Sequence, residues 1–184
     1  MSTRVTRAIV LCLLAASIAL AQSPAQKHSQ AKPDGAAAVP DPPLIDTKGL
    51  ADILAKHRGK HLMVNFWATW CEPCREEFPM VNELAKQYAP QGLVVVGISL
   101  DDDGEITLVR RFLGRVNPVF PNFRKKPGHD ETFINSIDKA WTGAIPATFF
   151  YAPDGRAVNK LIGEHKRDAF EKAIRELLRH PASR

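Results

Sequence analysis

Cys71 and Cys74 stand two residues apart in the run Asn65-Phe66-Trp67-Ala68-Thr69-Trp70-Cys71-Glu72-Pro73-Cys74. That spacing serves three chemistries: a reversible dithiol/disulfide couple, half of a zinc site, or a haem attachment point. Haem attachment needs a histidine straight after the second cysteine, and here that residue is Arg75. Structural zinc needs four ligands, usually completed by a second Cys or His pair at short spacing. The only other cysteine is Cys12, and the six histidines are scattered. Two inert, buried thiols are the remaining alternative, but the flanks argue for redox work. An apolar run, Leu62 to Trp67, reads as a buried strand, and Glu76 to Tyr88 reads as a helix. The cysteines therefore fall where a strand hands over to a helix.

That junction has a chemical consequence. The thiolate is the reactive form of cysteine, and the free N–H groups and positive dipole end of a helix N-terminus stabilise it. Pro73 suits a first helical turn, where its missing N–H costs nothing. Cys71 is thus the expected nucleophile. Cys74, one turn in and more buried, is the expected resolving thiol.

The N-terminus indicates where such a pair would work. Arg4 and Arg7 precede an apolar stretch of 14 residues, Ala8 to Ala21, short for a bilayer span. It ends Ala19-Leu20-Ala21, the small-x-small pattern of a signal peptidase site, so residues 1–21 read as a signal peptide cleaved before Gln22. An uncleaved membrane anchor is the alternative. A lipid-anchored cysteine is disfavoured, because Cys12 lies within the apolar stretch behind Leu11. Cleavage removes Cys12 and leaves Cys71 and Cys74 outside the reducing cytosol, in a periplasmic or other extracytoplasmic setting where a pair can cycle.

Residues 22–45 hold five prolines and no aromatic side chain, a composition that cannot bury a core and reads as a disordered linker. Residues 46–180 are the length of one domain, and 181–184 form a short tail. Within the domain, helical and strand patterns alternate. A helix near Lys48 to Lys56 precedes the strand Leu62 to Trp67. After the cysteine helix come a strand Leu93 to Leu100, a helix Glu105 to Gly114, an extended piece Val119 to Phe123 and a helix Glu131 to Ala140. Strand Ala147 to Tyr151 turns at Pro153-Asp154-Gly155-Arg156 into its hairpin partner Ala157 to Ile162. A helix from Arg167 to Arg179 closes the domain ahead of Pro181. Continuous apolar strands between helices imply an α/β fold with a central sheet covered on both faces.

The run Phe66 to Cys74, Pro79 in the following helix, and Ile145-Pro146-Ala147-Thr148-Phe149 together resemble the thioredoxin superfamily. Within it the chain is most similar to the TlpA/ResA-like extracytoplasmic thiol-disulfide oxidoreductases, over roughly Asp46 to His180. The resemblance implies a thioredoxin-like mixed sheet and a cis Pro146 lying against the cysteine pair. Substrate peptide would then dock in a groove lined by Trp70, Ile145 and Pro146. It also implies the chemistry: Cys71 attacks a client disulfide, Cys74 resolves the mixed disulfide, and a membrane thiol electron donor recharges the pair. Such relatives reduce disulfides of exported proteins, apocytochrome c among them, with no cofactor beyond the redox-active cysteines. Glu72-Pro73 matches the dipeptide of the ResA-like branch and favours the reductant direction over an oxidase or isomerase. Direction is not set by the dipeptide alone, since about 30 mV corresponds to only ~1.4 kcal/mol.

Two departures stand out. Cytosolic thioredoxins carry a buried aspartate where this chain has Asn65, which cannot ionise, so another group must accept the Cys74 proton. The sequence offers Glu72, or the cluster Asp101, Asp102, Asp103 and Glu105, which also reads as charge preference at a helix start. Arg124 to Thr142 forms a basic, then helical, insertion, expected to pack. Trp67 and Trp141 read as core residues. The net charge of +5 falls to +3 without Arg4 and Arg7. Arg110, Arg111, Arg124, Lys125 and Lys126 then suggest a preference for acidic surfaces, with no role for nucleic acid. Two rival functions on this fold fit less well. Copper delivery uses cysteines three apart with a distant histidine, for which His165 is the candidate, and peroxide reduction has a threonine-containing signature that is missing.

Overall fold

The strand that leads into the cysteine pair, β2 (His61–Trp67), is buried at every residue. In the computed structural model, which describes residues 40–181, β2 lies inside a six-stranded sheet of order β1-β4-β3-β2-β5-β6. The strands are β1 (Leu44–Ile45), β3 (Leu93–Ser99), β4 (Asn122–Lys125), β5 (Ala147–Tyr151) and β6 (Ala157–Ile162). Strands β1 to β4 run parallel, β5 pairs antiparallel with β2, and β6 pairs antiparallel with β5. The sheet is therefore mixed. The signal-peptide reading, Cys12 and most of the linker fall outside the described residues, as do residues 182–184 of the tail. Among the described residues no helix is long and apolar enough to cross a membrane.

Period-two alternation along β2 divides the core. Leu62, Val64 and Phe66 face one side, where α1 (Thr47–Lys56) and α4 (Asp130–Ile137) cover them. Met63 and Trp67 face the other, beneath α2 (Glu72–Tyr88), α3 (Ile106–Val116) and α5 (Arg167–Leu177). Asn65 shares the parity of Met63 and Trp67 and so points toward α2. Helices on both faces explain why these strands read as unbroken apolar runs. Each face has an aromatic cluster: Trp67 meets Phe78 and Phe112, at 4.9 Å between ring centroids in each case. On the opposite face Trp141 packs on Phe66 and Phe149, so both tryptophans expected in the core are there.

Gly97 permits a close approach that matters to β2. Its partner strand brings the Asn122 side chain so near that a Cβ at Gly97 would fall within the amide and 3.1 Å from the Phe120 ring. The same Asn122 oxygen accepts the Trp67 indole N–H at 3.2 Å.

Three elements depart from expectation. Leu44 and Ile45, read as the end of the linker, form β1: Arg124 N–H donates to Pro43 and Lys126 N–H to Ile45, and Ile45 is 6% exposed. The domain thus starts earlier than residue 46, because the pairing partner lies some eighty positions along the chain and leaves no local mark. Strand β4 begins at Asn122 and runs to Lys125, which places Arg124 and Lys125 inside the sheet. Both are buried and paired, Arg124 with Asp103 at 2.6 Å and Lys125 with Asp130. They are therefore not part of a basic surface for acidic partners. Finally, α4 ends at Ile137, and the following turn carries Asp138, which binds Lys160 at 2.6 Å.

Candidate active site

Helix α2 begins at Glu72, and Cys71 is its N-cap. The Cys71 backbone is extended, and its sulfur accepts the Cys74 N–H at 3.3 Å. One of the four amides left open at a helix start is so satisfied, and the sulfur sits at the positive end of the helix dipole. Pro73 is the second helical residue, a position that needs no N–H. Cys71 and Cys74 are joined by a disulfide, with S–S 2.00 Å and Cα atoms 5.3 Å apart. Cys71 is 6% exposed and Cys74 2%, so the outer sulfur is the one an incoming thiolate or disulfide meets.

Around the pair, Trp70 stands out of the surface at 61% exposure. Ile145 is half-buried and packs against the core cluster that contains both cysteines. The Ile145–Pro146 peptide bond is cis, and the Pro146 carbonyl accepts the Gly163 N–H at 2.8 Å. That bond ties Gly163, just beyond the end of β6, to the residue before β5. Trp70 follows the C-terminal end of β2, and Ile145 and Pro146 lead into the start of β5, two strand ends that are paired through Phe66 and Ala147. Glu72 is exposed on the first turn of α2.

The acidic cluster does not act as a unit. Asp102 and Glu105 form a capping box ahead of α3, with Asp102 N–H donating to Glu105 Oε2 at 2.7 Å, as a helix-start charge preference predicts. Asp103 takes Arg124. Asp101 is 1% exposed, and its carboxylate accepts from Thr69 and Ser99.

The carboxyl that the sequence reading missed is Glu77. It lies three residues beyond Cys74 on α2, hence on the same helix face, and is 6% exposed. Burial pushes its pKa up from 4.5 to about 7 and the nearby Glu164 charge adds to this, while the His165 N–H and the Asn65 amide act in the opposite direction. The His165 N–H lies 3.4 Å from Glu77 Oε2. Asn65 also donates to Thr148 Oγ1 at 2.9 Å, so β2, α2 and β5 meet in a small polar seam behind Cys74. The signal that could have found Glu77 is its i+3 spacing from the second cysteine.

Residues 36–159 match the AhpC/TSA family. The chain belongs to this family. The thiol-disulfide oxidoreductase ResA of Bacillus cereus is 31% identical over 134 residues, covering 73% of this chain and 73% of that protein. ResA of Geobacillus kaustophilus is 30% identical over 139 residues, covering 75% of each. Among solved structures, a thiol:disulfide interchange protein of the thioredoxin family from Chlorobium tepidum superposes with TM-score 0.58 at 26% identity, covering 67% of this chain and 83% of that one. A secreted Mycobacterium tuberculosis disulfide oxidoreductase shares the fold at TM-score 0.54 and 23% identity, covering 67% and 86%. This AhpC/TSA family member has the thioredoxin-like fold and is a thiol-disulfide oxidoreductase of the ResA/DsbE type.

Proposed function

We propose that the protein is an exported reductant of disulfides in extracytoplasmic proteins, with apocytochrome c as its client class and a membrane thiol protein as its electron donor. The observation that carries the dithiol chemistry within this reading is the placement of Glu77. A buried acid/base group with a pKa of about 7, one turn beyond Cys74, can hold the proton that Cys74 must lose, the task that Asn65 cannot perform. Glu72-Pro73 between the cysteines and the similarity to ResA support the reductant direction.

In the reduced enzyme, the Cys71 thiolate attacks one sulfur of a client disulfide and expels the other as a thiolate, which takes a proton from solvent. Cys74 then gives its proton to Glu77 and attacks Cys71, expelling the second client sulfur. Two electrons pass to the client, and Cys71–Cys74 is left oxidised until an external dithiol reduces it. Trp70 and Ile145 supply the apolar contacts that hold the client chain near Pro146.

Expression of Cys74→Ala in the source cell tests the reading, because it leaves clients trapped on Cys71. Cytochrome c apoproteins among the trapped species support the proposed client class. Their consistent absence, with other clients present, overturns it. A Cys71/Cys74 couple strongly more oxidising than glutathione would overturn the reductant direction.

A further inference from the structure

Between the end of β2 and the start of α2 the chain has no strand or helix to pair its backbone, yet Ala68, Thr69 and Cys71 are buried, so their polar groups need partners. The partners are specific. Trp67 C=O takes the Leu100 N–H at 2.8 Å, and Ala68 C=O takes the Cys71 N–H at 3.3 Å. Thr69 is held from both sides. Its N–H reaches both Asp101 carboxylate oxygens at 3.0 Å, and its hydroxyl donates to Asp101 Oδ1. Its carbonyl accepts from the Arg75 guanidinium on α2.

Asp101 is itself locked. Its Oδ2 accepts the Ser99 hydroxyl at 2.6 Å, and its N–H donates back to Ser99 Oγ at 3.1 Å. Arg124, pinned by Asp103, lies 3.4 Å from the Asp101 carbonyl. Burying a carboxylate is expensive unless donors satisfy it, and an apolar residue of similar size would serve packing alone at lower cost. Here the donors come chiefly from the residue two positions before Cys71.

The geometry points to Asp101 as a positioning residue for Cys71, acting through Thr69. It rests on the reading that Cys71 is the attacking thiol. With Thr69 fixed, the 68–71 turn delivers the Cys71 sulfur to the N-cap of α2, where the Cys74 N–H and the helix dipole favour thiolate. Without that hold, the turn gains freedom and the sulfur leaves this position for part of the time. Asp101 touches neither substrate nor sulfur, and its effect is on where the sulfur sits.

The positioning role and a simple charge effect predict opposite signs. Removing a nearby negative charge would lower the Cys71 pKa, whereas releasing the turn raises it. The test is the rate of iodoacetamide alkylation of the reduced full-length protein from pH 5 to pH 9, read by mass on the Cys71-bearing peptide. Asp101→Asn keeps size but turns one acceptor into a donor. It is expected to move the titration midpoint up by about one unit and to cut the neutral-pH rate roughly tenfold. Thr69→Val deletes only the hydroxyl and should shift the profile the same way by less, while Thr69→Ser recovers most of that loss. Asp101→Asn combined with Thr69→Val should equal Asp101→Asn alone, since both break one link.

A midpoint that moves down, or an unchanged profile beside a lower melting temperature, overturns the positioning role. If Asp101→Asn does not fold, the Val/Ser contrast at Thr69 decides alone: no difference between them overturns it. Alkylation does not depend on turnover. A wild-type protein that alkylates fast at Cys71 but fails to reduce insulin would therefore sink the functional reading and leave this measurement standing.

Discussion

The indole N–H of Trp141 donates to the carbonyl of Ala144 at 2.9 Å, two residues before Pro146. The inserted segment is thereby tied to the loop that carries the cis Pro146. Trp141→Phe keeps the packing on Phe66 and Phe149 but removes this part-buried hydrogen bond to the exposed Ala144, a loss of about 0.5–1.5 kcal/mol. Client reduction should weaken through a higher KM, while Cys71 alkylation stays as in the wild type. A chemical melt and insulin-reduction kinetics together check both halves.

Glu77 makes stability depend on pH. The unfolded carboxyl titrates near 4.5 and the folded one near 7, so between those values the folded state holds a proton that the unfolded state has lost. Stability from this group is full below about pH 4.5 and is lost as pH rises through about 7, a change of roughly 3 kcal/mol. Glu77→Gln should accordingly melt higher than the wild type at pH 8 and close to it at pH 4. The same variant has no proton acceptor for Cys74, so mixed disulfides should persist longer during turnover. Denaturant titrations at both pH values, with gel analysis of trapped intermediates, test these effects.

Trp70 presents most of its surface to solvent, and exposed side chains contribute little to folding. Trp70→Ala should change stability by no more than about 0.5 kcal/mol. Its client turnover should fall through KM, since the apolar contact beside Cys71 is gone. A large drop in melting temperature would place Trp70 in the core rather than at the groove.

Gly97→Ala sets a methyl group against the Asn122 amide, which must swing away and release the Trp67 indole. Overpacking of this kind costs about 1–3 kcal/mol. The melting temperature should fall, and the near-ultraviolet signal of Trp67 should change with it.

Strands β5 and β6 could be read from the sequence to the residue, because Pro153-Asp154-Gly155 marks the turn and the flanking runs are apolar and β-branched. Strand β2 was legible for the same local reasons. What escaped depends on distant partners. Strand β1 is two residues long and exists through Arg124 and Lys126. The burial of Arg124 and Lys125 depends on Asp103 and Asp130, so on charge alone they resemble any solvated basic run. Within the site, the deeper burial of Cys74 than of Cys71 followed from its place one turn into the helix. Glu77 was not legible because neither the chain neighbours of the motif nor the end of β3 points to it, whereas the helix face that bears Cys74 runs one turn further on. Asp101 was visible only as one of several acids, and three-dimensional pairing distinguishes it from Asp102 and Asp103.

Strand β1 also determines how the protein can be held. The chain enters the domain along the β1 edge of the sheet, four strand spacings from β5, or roughly 19 Å. Through the register Leu44 to Arg124, Arg124 to Ser99 and Ser99 to Trp67, β1 is nevertheless level with the end of β2 that leads to Trp70 and the cysteines. At the C-terminus, by contrast, the His180 carbonyl lies 2.8 Å from His61 Nε2, at the start of β2 and so at the opposite end of that strand from the cysteines, and immobilised forms of this enzyme are best made through the C-terminal end.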